Sequence, residues 1–474
     1  MTIVVNNLSM AVSSKPTHPL FQAMLPDLIA ARDCYAGERA IKERGTKYLP
    51  RLSGQTNEEY NAYKMRATFY SIVGRTVTAL TGIAVVADPF IEAPDEIRQL
   101  MTDNPYGLQF DEMRYRALRD VQLVGRFGIL IDSPEGESQE LGAQPYASEA
   151  IINWEVDGKG KPVLVVLMEI VWLPDGAGNK QAVLRYRTLQ LVDGIYTVTI
   201  EDAKNATRTI QPEFGGVKID FIPFYVANPL GLGFDIEKIP MVDLVNLNLS
   251  HYRTSADLEH GRHFCGLPTP VITGSEVSSG KMKIGGSKAW VLPEVGADAK
   301  YLEFTGQGLL SLEKALQEKE SQLSSMSVNV IDRASRGSEA ADTVKLRYTS
   351  ETASLALVVS SVESLLNTVY KTIAQLRGID GKIEISFAKQ FINGATPAAD
   401  LAKYSEMYLA GSLSVEAYVS ILRRGGALPA DRDDKVEIAA LNKIATDKIA
   451  AAAAAAAKPE PAASPSPAPA PQPQ

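Results

Sequence analysis

Residues 331–348 read IDRASRGSEAADTVKLRY, and they separate two long segments with helical apolar spacing. The stretch holds four basic residues, Arg333, Arg336, Lys345 and Arg347, against three acidic ones, Asp332, Glu339 and Asp342. Its first half is almost all small or charged and has little to bury. Upstream, Leu309, Leu312, Leu316, Leu323, Met326 and Val330 recur at heptad-like steps, with Lys319 the one gap. Downstream, Val344, Tyr348, Leu355, Val358, Val362, Leu365, Val369, Ile373 and Leu376 do the same, flawed once at Glu351. At ~1.5 Å rise per residue, 341–378 predicts a helix of about 55 Å. A single chain has little use for such helices unless a bundle covers both faces. Equivalent helices packed around a symmetry axis would cover one another and leave the polar connection facing a central opening.

The rest of the chain supplies the setting. Its 474 residues are enough for two or three domains, and 45% hydrophobic with 22% charged residues is ordinary for a soluble globular protein. Cys34 and Cys265 cannot make a disulfide framework and point to a reducing compartment. The opening MTIVVNNLSMAVSSK has no basic region before an apolar run, so no secretory signal is expected. The most apolar run, VLVVLMEIVWLP (163–174), is too short to span a bilayer and contains Glu169. A soluble, cytosolic chain is expected. A net charge of −8 argues against a tight grip on nucleic acid, though not against letting it slide past.

Residues 20–132 read mainly as helices. Thr56 and Glu59 form a capping-box pattern, and Tyr60, Tyr63, Ala67, Tyr70, Val77 and Leu80 predict one buried helical face. FDEMRYRALRDVQLVGR (110–126) predicts a helix leading into FGILIDSP (127–134), a buried strand. Residues 145–229 are rich in β-branched and aromatic residues, with Asp193-Gly194 at a hairpin turn, and predict one mostly antiparallel sheet. Helical spacing returns at Val242, Val245, Leu249, Tyr252 and Ala256. An irregular segment, 265–306, carries the strand-like TPVITG and KAWVL. A strand at 381–391, helices at 398–410 and 414–424, eight alanines at 450–457 and KPEPAASPSPAPAPQPQ complete the chain. The alanines extend the preceding helix in this reading, and the Pro-rich end is expected to be disordered. The fold class is α+β.

Catalytic signatures fail on inspection. GSEVSSGKMK (274–283) has five residues between Gly274 and Gly280 where a phosphate loop has four, and Met282 where Ser or Thr belongs. Glu259, His260, His263 and Cys265 are ligand types that zinc accepts, but their spacing matches no helical zinc motif. No Gly-x-Ser-x-Gly elbow or His-Asp-Ser set is present. The expectation is a protein that is not an enzyme, with no catalytic residue, metal or cofactor. The alternative is a nucleotide- or metal-dependent enzyme centred on 259–288.

Five segments in order carry a resemblance: 47–85, 122–134, 145–157, 243–274 and the helix–gap–helix of 309–378 with SEAADTVKLRYTSETASL at its joint. Together they resemble the portal proteins of tailed bacteriophages, in particular a portal-like family known mainly from genome sequences. The resemblance spans roughly residues 20–445. It implies a homo-oligomeric ring, typically of twelve subunits, at one capsid vertex of the virion, assembled in the host cytoplasm. Double-stranded DNA passes its channel without sequence specificity during packaging and ejection. The implied partners are the terminase large subunit, the major capsid and scaffold proteins and the head–tail connector, with no membrane. Carried over by position, 1–235 is wing, 236–264 a stem helix, 265–306 the clip, 307–330 a second stem helix and 331–340 the tunnel loop. Residues 341–380 are then the long channel or wing helix, 381–392 a wing strand, 393–445 the crown and 446–474 a disordered Ala/Pro-rich tail. The resemblance makes Asp332, Arg333, Ser335, Arg336, Gly337, Ser338 and Glu339 the DNA-channel loop. Mixed charge there touches phosphates without holding them, whereas unopposed arginines repeated around a ring would stall a polyanion. A further alternative is another ring-forming head or tail component that never contacts DNA.

Overall fold

The structure, a computed structural model, describes residues 15–134, 141–174, 179–202, 207–235, 237–265, 269–273, 295–296, 298–302, 307–327, 341–389, 391, 398–424, 428 and 434–456. They fall into two units, up to Lys389 and from Gln390 on. The first unit opens with α1 (Pro19–Ala36), α2 (Glu38–Glu43), α3 (Asn57–Arg66) and α4 (Ile72–Val85), then β1 (Phe90–Glu92), α5 (Asp95–Thr102) and α6 (Phe110–Val124). The capping box forms: Thr56 Oγ1 accepts from Glu59 N at 3.2 Å and Glu59 Oε2 accepts from Thr56 N at 2.8 Å. Thr56→Ala is expected to cost about 1 kcal/mol, read as a lowered denaturation midpoint.

The single helical face expected from Tyr60 to Leu80 is instead split, because residues 67–71 leave the helix between α3 and α4. Tertiary packing explains the break. Ala67 and Phe69 are buried at alternate positions while Tyr70 turns outward. The Phe69 ring meets Tyr252 edge-on at 5.9 Å, and the Tyr70 carbonyl accepts from Asn248 Nδ2 at 2.7 Å.

Among the described residues three sheets follow where one was expected. β2 (Phe127–Asp132), β3 (Gly142–Ala147), β4 (Ile151–Val156), β5 (Pro162–Pro174), β6 (Lys180–Val192), β7 (Ile195–Asp202), β8 (Thr207–Ile210), β9 (Glu213–Phe214), β10 (Val217–Lys218), β11 (Phe224–Asn228) and β12 (Gly231–Leu232) run in order. One sheet is β12-β11-β2-β3, a second β4-β5-β6-β7-β8 and a third the pair β9-β10, and every ladder among the described residues is antiparallel. The segment VKIDFIPFYVANP therefore splits, its second half pairing back onto β2. β6 and β7 join at Asp193 and Gly194 with φ of 51° and 77°, the left-handed pair that a two-residue hairpin turn requires. At Gly128 a Cβ would lie 2.5 Å from the Phe224 ring, so only glycine lets β11 close on β2.

Glu169, the charge inside the most apolar run, sits in a buried ion cluster between the sheets. It accepts from Tyr146 Oη, from Arg185 Nε at 2.7 Å and from Arg187 Nε at 3.0 Å. Arg187 also reaches Asp132. Burial alone would raise the Glu169 carboxyl, but Arg187 and Arg185 overcome it and hold it below the usual range.

Beyond α7 (Val242–Cys265), β13 (Thr269–Thr273), β14 (Asp298–Leu302) and α8 (Gln307–Met326) comes α9 (Ala341–Arg377), followed by β15 (Glu384–Ser386), which pairs with β1. The chain buries α9 itself: Val359, Val362, Leu365, Leu366, Val369 and Ile373 are 0% exposed, packed against α6, β11, β12 and β15. This corrects the expectation that its apolar stripe awaits symmetry-related helices. Burial extends past one stripe to Val359, Leu366 and Tyr370, while Leu376 is half-buried. The side chains of Val344, Tyr348 and Glu351 lie outside the described residues. Asn367 completes the fit, accepting from Ile385 N at 3.0 Å and donating to Ile385 O at 2.6 Å, as a neighbouring strand would. Residues 353–377 are long and apolar enough to cross a membrane, but here they are the core helix.

The second unit holds α10 (Ala398–Leu409), α11 (Val415–Arg424) and α12 (Asp434–Ala456). Tyr408 and Tyr418 stack at 4.6 Å over a contact that buries Val419. α12 runs unbroken through 445 to Ala456, so the alanine run continues the preceding helix. The Pro-rich end lies outside the described residues.

Candidate functional site

α7 owes its position to the stripe read from its sequence. Val245, Leu249, Tyr252 and Ala256 are all buried, facing α1, α3 and α4. Tyr63 Oη donates to Asp257 Oδ1 at 2.6 Å and ties α3 to the same helix. Burial, then Asp257, pushes the Tyr63 hydroxyl pKa far up, so it remains a donor.

α8 lies antiparallel on α7. His251 Nε2 stands 3.3 Å from Glu320, Lys319 donates to Thr254 Oγ1 and to Ser250 O at 3.4 Å, and Arg262 reaches Glu313 at 2.9 Å near the other end. The gap in the leucine stripe is thus a polar pin. Lys319 replaces an apolar knob with two hydrogen bonds to α7, and burial lowers its ammonium pKa. Leu323 is fully buried, whereas Leu309, Leu312 and Leu316 are half-buried and Met326 is exposed. α8 therefore has one covered side.

β13 and β14, which fall between the two helices in the chain, form an antiparallel two-stranded ladder. It starts with the predicted TPVITG; KAWVL and the 274–283 near-match to a phosphate loop lie outside the described residues. The helix pair is close to charge balance, with three acidic against two basic residues in each of α7 and α8, histidines apart. Such a surface neither concentrates nor repels a polyanion strongly.

α8 ends at Met326, with Ser327 N on Leu323 O at 2.8 Å, and α9 begins at Ala341. Val330 and the channel-loop residues Asp332, Arg333, Ser335, Arg336, Gly337, Ser338 and Glu339 fall between these ends and lie outside the described residues. Glu259, His260 and His263 of the zinc-type set are engaged in other contacts. Glu259 pairs with Arg262 at 2.9 Å, and His260 meets the rings of Tyr63 at 5.1 Å and Phe264 at 4.7 Å. Burial, then Arg66 and His263, lowers the His260 imidazole pKa. Among the described residues no three His, Cys, Asp or Glu side chains gather closely enough to hold a metal ion. Sequence reasoning missed Asn248, Asp257 and the Arg262–Glu313 bridge. Each joins residues distant in the chain, and none breaks a local pattern.

Residues 240–376, from just before α7 almost to the end of α9, match a family model described as a domain of unknown function (DUF4055). No curated protein matches the chain. Among solved structures, it is similar at TM-score 0.40 and 14% identity to a chain of the virion of a native gene transfer agent particle, covering 79% of this chain and 95% of that one. A chain in the neck of the empty particle, computed with C6 symmetry, gives 0.40 and 15%, covering 77% and 92%. One in the neck of the native particle, computed with C12 symmetry, gives 0.38 and 12%, covering 81% and 98%.

Proposed function

We propose that this chain is the subunit of a portal-type ring at the head–tail vertex of a phage-like particle, through which double-stranded DNA is packaged and ejected. The observation that carries this is the antiparallel α7–α8 pair. It has an antiparallel two-stranded ladder between its helices in the chain, is near neutral in charge, and among the described residues is covered on one side of α8 alone. Leu310 at 67% and Phe264 at 60% exposure leave apolar surface for a neighbouring copy. In this reading α9 is the fixed base of the subunit, and 331–340 is the loop that DNA passes. The protein acts without catalysis or cofactor. Twelve subunits, the terminase large subunit, the capsid and scaffold proteins and the head–tail connector complete the proposal.

Sedimentation and electron microscopy of the purified chain test it. A closed ring with a central hole is expected, and a 51.3 kDa monomer at every salt and protein concentration, with or without scaffold, would count against it. Changing Arg333 and Arg336 to Ala is expected to leave rings and particles intact, since loop charges usually contribute under about 1 kcal/mol, while packaged DNA falls. Normal packaging with weakened rings would make the loop a subunit contact instead.

A further inference from the structure

The β5–β6 ladder runs past its neighbours. β4 stops pairing at Ile151 opposite Leu167, and β7 stops at Asp202 opposite Arg185. From Ile170↔Leu184 to Pro174↔Lys180 the two strands continue as an arm whose edges pair with no other strand among the described residues. One face is apolar up to its tip: Ile170 and Trp172 stand there with Leu184 and Ala182, and Lys180 follows opposite Pro174, while Val171, Leu173 and Val183 share the other face with Gln181. Trp172 is 48% exposed. A two-stranded ladder is marginal in water by itself, and open apolar edges are a liability that folds normally cover.

The described chain begins beside the base of this arm. His18 N donates to Ile152 O in β4 at 2.9 Å, and Lys15 Nζ reaches Glu201 of β7 at 2.6 Å. Between those anchors the chain crosses the width of β5 and β6, about 14 Å at ordinary strand spacing. Glu201 stands opposite Tyr186, on the same face as Leu184, Ala182 and Trp172. The residues before Lys15 read MTIVVNNLSMAVSS, with seven apolar side chains from Ile3 to Val12 and no charged one. Extended, they reach about 45 Å, more than twice the length of the arm.

We propose that residues 2–12 of the same chain cover the arm face bearing Ile170, Trp172 and Leu184. Two uncharged apolar segments, one starting at the base of the other, thereby remove each other from water.

Deuterium exchange on the full chain and on a variant lacking 2–12, with Lys15 and His18 retained, tests this. The amides of 170–173 and 181–184 are expected to exchange at least about 10-fold faster in the deletion, while those of α9 stay protected. Trp172→Ser in the full chain is expected to speed exchange in 3–12, and this variant decides the matter should the deletion fail to fold. Unchanged arm exchange on deletion, or unchanged exchange in 3–12 with Trp172→Ser, overturns the proposal. So does arm protection that disappears when the intact chain is diluted to monomer, which would assign the cover to a second copy.

Discussion

Glu169→Ala is expected to destabilise the first unit by about 3–5 kcal/mol, because it leaves Arg185, Arg187 and the Tyr146 hydroxyl without their shared carboxylate between two sheets. Chemical denaturation followed by far-UV circular dichroism reads the loss directly. A cost below about 1 kcal/mol would mean that water replaces the carboxylate, so that the cluster is not dry. Acid gives a second check. The Glu169 carboxyl titrates below its ordinary value in the folded chain, so its stabilisation is present above about pH 4.3 and is lost as pH falls through the lowered value. Asp132 works in the opposite sense. Burial outweighs Arg187 there and raises the carboxyl, so its part of the stability weakens as pH rises through the carboxylate range. Glu169→Gln is expected to remove the first dependence and leave the second.

Leu365→Asp is expected to prevent folding of the first unit, since it places an uncompensated charge at a fully buried position of α9 among α6, β11 and β15. Leu365→Ala should fold with a loss of about 2–5 kcal/mol. Leu357→Asp, on the same helix but 55% exposed, should stay within about 0.5 kcal/mol in the isolated subunit. Soluble yield and denaturation midpoint separate the three. Equal tolerance of Asp at 357 and 365 would mean that α9 is not the core of its own chain. A Leu357→Asp variant that folds but fails to assemble would instead mark that face of α9 as a contact between subunits.

Much of this architecture is readable without coordinates wherever one short window contains its own cause. The Thr56–Glu59 box closes over three residues, the Asp193-Gly194 turn needs two positive φ angles in succession, and α7 repeats its buried residues every three or four positions. α9 spans Ala341–Arg377 against an expected 341–378 for the same reason. Where the cause lies elsewhere in the chain, the window is silent or misleading. Asn248 Nδ2 donates to the carbonyl of Tyr70, so α3 and α4 part in a stretch that reads as continuous helix. β11 could pair with the strands before it in sequence, but it pairs with β2, and that choice divides one apolar block between separate sheets. Arg126 follows a helix and precedes a strand as any surface arginine might. It is nevertheless fully buried, donating to the carbonyls of Ser148, Ile151 and Phe234, and burial lowers its guanidinium pKa to about 9. Periodicity records that a face is apolar but not what covers it. For α9 the cover comes from its own sheets and helices; for α8 one side stays open, and that difference arises only when residues far apart in the chain are brought together.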